Sequence, residues 1–388
     1  GNLYAGAKEK LYRSKDHGIT WFDVNYTTNN QTIKGDVYDV KAFSDGSVLL
    51  AMGNEYYLSP NGDADSFIKI SSPSGVLTPA TGRSVFAIAP SDENVVYMSR
   101  SDKDDFFDGL FKSIDKGSTW IKIIGGGSDV FTPFKGGGGQ GNYNQCLAVF
   151  PDNPNKILLG GIEIYEWEEG KNWKKLSKWN GSWSDDNYVH ADAHTFSFHP
   201  SNPNQYYIGT DGGIFMTKDN GEVFQRLNRG FNITQFYGVA FGKDGAVLGG
   251  TQDNANIYID FKGNTEQSGE LHNSGDGGYS AISQLMPDAF FSESQFGRIG
   301  RDNSRSGSYS EFFYHKDAAI NQEDLDYDSR WSEFITPILL WESASDSLIP
   351  DSSVFIADKD YFENDVIKIN SNISGLSFID TLNDALFE

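Results

Sequence analysis

Three aspartates stand in glycine-flanked turns that could offer a carboxylate to a ligand. They are Asp211 in Gly209-Thr210-Asp211-Gly212-Gly213, Asp253 in Gly250-Thr251-Gln252-Asp253-Asn254 and Asp276 in Ser274-Gly275-Asp276-Gly277-Gly278. Two carboxyl groups roughly 5 to 9.5 Å apart are the machinery of glycoside hydrolysis. In a binding site the same groups accept hydrogen bonds from a hydroxyl-rich ligand. Aspartate followed by glycine is also ordinary hairpin chemistry, so each has a turn-only reading beside the functional one.

The segment from Trp179 to His194 is the richest local cluster, with Trp179, Trp183 and Tyr188 offering rings and His190, Asp192 and His194 alternating along the chain. An extended backbone would project those three to one side, a workable geometry for a metal or a polar ligand. Strand-end hydrogen bonds explain a lone His-x-Asp-x-His without any ligand. The runs Gly125-Gly126-Gly127 and Gly136-Gly137-Gly138-Gly139 are followed by no Gly-Lys-Ser/Thr and open no helix, so they are not phosphate cradles. They read as a flap with Phe131 and Phe134 at its tip.

Such groups need a frame, and one octad, Ser/Thr-x-Asp-x-Gly-x-x-aromatic, recurs three times. It runs from Ser14 through Asp16 and Gly18 to Trp21, from Ser113 through Asp115 and Gly117 to Trp120, and from Thr217 through Asp219 and Gly221 to Phe224. Hydroxyl and carboxylate can bond turn amides that lack a ladder partner, and the glycine supplies a positive φ. The aromatic opens the next strand and is placed to pack between sheets. These twelve residues therefore read as structural.

Around the octads lie short strand signals in units of about 40 residues, a spacing typical of propellers. The matched turns Pro151-Asp152-Asn153-Pro154-Asn155 and Pro200-Ser201-Asn202-Pro203-Asn204 repeat with them. We read residues 1–388 as one all-β propeller of four-stranded blades, seven or eight in number. Residues 1–26 would be a partial first blade lacking its first strand, 37–306 regular blades, and 307–388 an irregular last blade that closes the ring. Within this scheme Ser59-Pro60-Asn61-Gly62-Asp63 is a decayed octad, and the pattern loosens after Phe236 to Gly250. Phe334 to Trp341 and Val354 to Ala357 would be strands of the last unit. In a blade, the first-to-second and third-to-fourth turns share one face. The octads thus mark the face opposite Asp211, Asp253, Asp276 and the 179–194 segment.

The balance of 54 acidic against 31 basic residues, a formal charge of −23, repels phosphate backbones and anionic headgroups, so nucleic acid is a poor partner. It suits a neutral glycan, a basic protein patch or calcium, and no other cofactor is indicated. Cys146 is the only cysteine, which excludes an intramolecular disulfide, and its strand setting reads as buried. No apolar run reaches about 18 residues, so membrane insertion by a helix is not expected. The abrupt first and last strand signals suggest a processed or excised piece of a polypeptide with further domains.

The octads resemble the Asp-box, or BNR repeat, of sialidases, sortilin-type receptors, family 74 xyloglucanases and many secreted bacterial propellers. The run from His190 to Asn228, with Asn232 to Tyr237 and Gly250 to Asn254, is similar to secreted Asp-box propellers common in Bacteroidota. That resemblance implies an extracellular or cell-surface location, with type IX secretion as the route. From the residues themselves we read a recognition or adhesion module binding a glycan or protein through Trp179, Trp183, Tyr188, His190, Asp192, His194, Asp211, Asp253 and Asp276. The alternative is a glycoside hydrolase working through Asp211, Asp253 and Asp276. The Arg-Ile-Pro segment usual in sialidases is absent, and the catalytic-aspartate contexts of family 74 do not match clearly.

Overall fold

The computed structural model describes residues 2–71, 82–125, 131, 133–134, 139–230, 234–260, 269–273, 275–303, 310–313, 333–342, 359–370 and 377–382. Every regular element among them is a strand, so none is a helix able to cross a membrane. The chain divides into two units, Gly1–Asn232 and Ile233–Glu388.

In the first unit, β1 (Leu3–Ala7), β2 (Lys10–Ser14) and β3 (Phe22–Asp23) form a three-stranded antiparallel sheet. Four meanders of four strands follow. They are β4 (Val37–Ala42), β5 (Val48–Met52), β6 (Glu55–Ser59) and β7 (Ile68–Lys69); then β8 (Ser84–Ile88), β9 (Val96–Ser101), β10 (Phe107–Ser113) and β11 (Ile121–Gly125). Next come β12 (Cys146–Phe150), β13 (Asn153–Gly160), β14 (Ile164–Glu168) and β15 (Lys174–Lys175); then β16 (Ala193–His199), β17 (Asn202–Thr210), β18 (Gly213–Thr217) and β19 (Gln225–Arg226). The second unit holds β20 (Phe236–Phe241), β21 (Val247–Thr251), β22 (Asn256–Ile259) and β23 (Glu270–Leu271), and then β24 (Gly277–Ile282), β25 (Phe290–Ser294), β26 (Arg298–Asp302) and β27 (Ser310–Phe313). A hairpin of β28 (Val366–Asn370) and β29 (Ser377–Thr381) ends it.

Within the first unit β1 packs on β4, β4 on β8, β8 on β12 and β12 on β16, and in the second β20 packs on β24. Sequential meanders whose first strands lie side by side are the blades of a β-propeller. The packing follows from strand alternation. Along β5, Val48, Leu50 and Met52 enter the cluster with Leu11 and Phe67, while Leu49 and Ala51 enter the cluster with Phe86 and Trp120. Successive side chains point to opposite faces, so a strand covered on both sides reads as a continuous apolar run.

The three octads share one hydrogen-bond pattern. Gly18, Gly117 and Gly221 donate their amides to Ser14, Ser113 and Thr217 hydroxyls at 2.7, 2.8 and 2.9 Å. Thr20, Thr119 and Val223 amides donate to Asp16, Asp115 and Asp219 at 2.8, 2.8 and 3.0 Å. The Thr20 hydroxyl and amide hold the Asp16 carboxyl down to about 2. Positive φ is not confined to the glycine. His17, Lys116 and Asn220 before it also lie near +60°, so two consecutive left-handed residues turn the chain. The octad end is also the end of the first-to-second hairpins, because Lys116 and Asn220 donate their amides to Asn94 and Asn204 carbonyls at 3.0 and 2.9 Å. Octad tips reach the neighbouring sheet as well, Lys15 bonding Asp63 at 2.7 Å, Lys116 Asp45 at 2.5 Å and Asn220 Glu166 at 3.0 Å.

Several expectations need correcting. Ser59 keeps the octad bond, accepting from the Gly62 amide at 2.7 Å, although the motif has decayed. The pattern after Phe236 does not loosen but completes four strands. Phe334 to Trp341 forms no strand, since Pro337 removes a ladder donor from its middle. Val354 to Ala357 lies outside the described residues, as does most of the glycine-rich loop. Phe131 and Phe134 are not a flap tip. Phe134 is fully buried 5.9 Å from Phe107, and Phe131 stacks on Trp173 at 4.5 Å, so both rings wedge into the core. Cys146 is buried and donates to the Ala193 carbonyl at 3.4 Å.

Candidate functional site

Asp211 occupies the turn between β17 and β18, where Thr210 pairs with Gly213. Thr210 bonds that turn itself, its hydroxyl donating to the Gly213 carbonyl at 3.1 Å and accepting from the Gly212 amide at 3.2 Å. The Asp211 carboxylate instead faces two side chains, Tyr143 on the connection before β12 and His194 at the start of β16. The Tyr143 hydroxyl donates to Oδ2 at 2.7 Å, and His194 Nε2 lies 2.7 Å from Oδ1. The Tyr143 and His194 rings meet edge to face at 5.0 Å.

Tyr143 is held from behind by Arg83, whose guanidinium donates to the carbonyls of Asn142 and Tyr143 at 3.3 and 2.8 Å. Next to it, Asn144 donates to Asp192 at 2.6 Å. Carboxylate oxygens of Asp192 and Asp211 lie within 4.8 Å of each other. Their environments push them apart. Burial raises the Asp192 carboxyl, with the neighbouring Asp211 charge adding to the effect. Burial acts on Asp211 too, but the bonds from His194 and Tyr143 outweigh it and hold its carboxyl below the usual range.

The sequence segment 190–194 is not extended. Asp192 has φ +65°, so the expected one-sided row of His190, Asp192 and His194 is broken at its centre. Asp192 and His194 still reach Asp211. His190 turns its Nδ1 to the Ala191 carbonyl at 3.1 Å, and its ring fills the space that a side chain at Gly212 would need.

The rings of the 179–194 segment sit elsewhere. Tyr188 is 7 % exposed, packs beside Phe215 and belongs to the core. Trp183 stacks on Tyr188 at 6.2 Å and lies under the Arg226 guanidinium at 4.7 Å, on the outer strand β19. Backbone bonding of Phe224 to Asp186 at 2.7 Å draws this loop toward an octad. Trp179 is exposed. Thus Trp183 is attached at the outer strand, whereas Asp211 lies at the second-to-third turn and Asp192 on the connection before β16.

Asp253 and Asp276 belong to the second unit, where Asp276 Oδ1 accepts from the Asp253 amide at 2.8 Å and its own amide donates to Gln295 at 2.9 Å. Those bonds tie the β21–β22 turn to the connection before β24, and that connection to the residue after β25. Tyr143, Asn144 and Arg83 escaped the sequence reading. The available signal was positional, since 141–145 precedes β12 as 190–192 precedes β16.

A titration checks the Asp211–His194 contact. The bond from Asp211 raises the His194 pKa above its usual 6.5 against the opposing effect of burial. We expect imidazole NMR to give a midpoint above 6.5 in the native chain and a lower one in Asp211→Asn, where burial and the Arg83 charge are opposed only by the Asp192 charge. An unchanged midpoint would disprove the pairing. By linkage, the pair's stabilisation is complete below the unfolded pKa and fades as pH rises through the raised folded one.

No family model matches the chain, and no curated protein matches it. Among solved structures, it is similar to a family 74 glycoside hydrolase of Niastella koreensis at 16 % identity and TM-score 0.38, over 72 % of this chain and 45 % of that one. A family 74 xyloglucanase of Xanthomonas campestris shares 14 % identity at TM-score 0.33, over 80 % and 53 %. PorZ, a surface component of the type-IX secretion system of Porphyromonas gingivalis, shares 13 % at TM-score 0.45, over 80 % and 38 %. The chain spans about half or less of the length of each, and none of these likenesses assigns a role to one of its residues.

Proposed function

We propose that the chain is an extracellular or cell-surface recognition module, of the secreted Asp-box propeller type, that binds a hydroxyl-rich ligand, a glycan, around Tyr143, Asp192, His194 and Asp211. The observation that carries this reading is the Asp211 carboxylate, presented to Tyr143 and His194 while Thr210 closes the turn beneath it. A carboxylate flanked by a phenol and an imidazole offers donors and acceptors that sugar hydroxyls can exchange with. The octad end supports the reading by leaving the opposite end of the blades to the connecting loops. The net negative charge favours a neutral ligand over a nucleic acid.

A second reading, a glycoside hydrolase, draws on the Asp192–Asp211 pair. Two nearby carboxyls with pKa values pushed in opposite directions are the pattern of an acid and a base. The test is glycan-array binding run beside sugar release from a panel of polysaccharides. We expect binding without release, weakened about 5- to 30-fold in Asp211→Asn, the loss of one or two hydrogen bonds. Release abolished by Asp192→Asn would establish the hydrolase instead, and neither binding nor release across the panel would overturn both.

A further inference from the structure

Residues 333–342 make no strand, yet they are tied along the sheet β24–β27. The Phe296 amide donates to the Phe334 carbonyl at 3.1 Å, and the Phe334 ring lies against Phe296 at 5.3 Å and Tyr237 at 6.4 Å. The Thr336 amide donates to Glu293 Oε1 at 3.3 Å. Ile338, Leu339 and Leu340 then pass over Ala281, Phe291 and Ile299, leaving a cavity of about 310 Å³. At the far end Glu342 accepts from the Ser283 hydroxyl and from the Gln284 amide at 2.8 Å. Because Gly277 pairs with Ser294 and Ile282 with Phe290, the Glu293 and Glu342 clamps lie toward opposite ends of β24.

The two clamps differ in setting. Glu342 is partly exposed, whereas Glu293 is 0 % exposed and accepts from the Tyr279 amide at 3.2 Å besides Thr336. A side chain at Gly278 would collide with its carboxylate, so the sequence leaves room for Glu293 at that point. A buried carboxylate beneath an irregular segment, touching that segment's own backbone, couples its ionisation to whether the segment is seated.

We propose that residues 333–342 are a strap whose hold on this sheet is set by the protonation of Glu293. Burial pushes the Glu293 carboxyl up to about 7 from its usual 4.5, with the Asp276 charge adding to it and the backbone bonds opposing it. Titratable or charged groups on the elements around it are Asp276 on the blade connection, Tyr279 on β24, Arg298 on β26, and Glu333 and Glu342 on the strap. Lifting the strap has two opposed effects on Glu293: it returns water, which lowers the proton affinity, and it breaks the Thr336 bond, which had favoured the carboxylate. Burial is the larger influence on this group, so the seated form binds the proton more tightly. Seating is therefore complete in acid and weakens as pH rises through 7. Release uncovers the face of Phe291 and Ile299.

The test is hydrogen exchange of the intact chain at pH 5.5 and 8.5, corrected for intrinsic rates, reading the amides of residues 335, 336 and 338–341 against β25 as control. Protection of the strap should fall by up to about 30-fold between the two pH values, while β25 stays constant. In Glu293→Gln, which cannot ionise, the strap should be protected equally at both. A change below about twofold in the native chain, or one retained in Glu293→Gln, overturns the proposal. Should that variant fail to fold, carboxyl-carbon NMR of Glu293 in Ile338→Asp decides it. Prying up the strap there should bring the midpoint down toward 4.5, and an unmoved midpoint rejects the coupling.

Discussion

Trp120→Ala is expected to destabilise the chain by about 3 to 5 kcal/mol, and Trp21→Ala by about 1 kcal/mol or less. The two tryptophans hold the same octad position and both donate their indole N–H to the octad glycine carbonyl, at 2.8 Å from Trp120 and 3.0 Å from Trp21. They differ in what covers the ring. Trp120 is 4 % exposed and stacks on Phe86 at 5.9 Å inside the cluster between two sheets, whereas Trp21 is 41 % exposed. Removing a buried indole loses its transfer free energy and leaves a cavity, while the exposed ring loses little of either. Phe224→Ala should resemble Trp120→Ala, because Phe224 is buried although it has no N–H to donate. Denaturant unfolding separates the effects. Equal losses at Trp21 and Trp120 would mean that the aromatic serves the turn and not the packing.

Gly250→Ala should cost about 3 kcal/mol or more. Gly250 lies on β21, where its missing side chain faces the Gly278 carbonyl and amide and the Gly277 carbonyl carbon of β24. All three contacts are backbone, so no rotamer can move aside and the two sheets must separate. Gly277 in turn abuts the Ala255 carbonyl, which leaves the other side equally closed. Gly125→Ala is the control, since a side chain there meets nothing within 4 Å. It should be neutral or stabilising by up to about 1 kcal/mol. Matching urea midpoints for the two variants would refute the close approach of β21 and β24.

The blades were legible because their signals are local. A hydroxyl, a carboxylate, a glycine and an aromatic at fixed offsets name one turn, and the alternation along Val48–Met52 names a strand covered on both faces. The left-handed residue before each octad glycine was not legible, because His17, Lys116 and Asn220 share no side-chain chemistry and the backbone bonds do the selecting. Asp211 and His194 could be read as candidates from their turns. Their partners could not. Tyr143 follows a glycine-rich loop whose composition suggests mobility, and the packing of Phe131 and Phe134 into the core, with the Arg83 bonds to Asn142 and Tyr143, brings that connection back to β12. Glu293 looks like an ordinary strand residue between Ser292 and Ser294. One of its partners, the Thr336 amide, comes from a segment some 40 residues away, a distance over which no sequence pattern operates. Tyr188 shows the converse error, for an aromatic in a polar loop suggests a contact surface and here fills the interior.

The three octads fasten one end of their own blades with bonds from backbone, hydroxyl and carboxylate, and their tips grip an adjacent sheet through Lys15, Lys116 and Asn220. The opposite end carries connections such as 139–145 and 190–194 that no such repeat constrains. On the proposed binding reading, loop exchange at that end would alter ligand preference while leaving folding to the octad end. The molecule would in this respect be a scaffold with a graftable surface, in which affinity and stability could be selected one at a time.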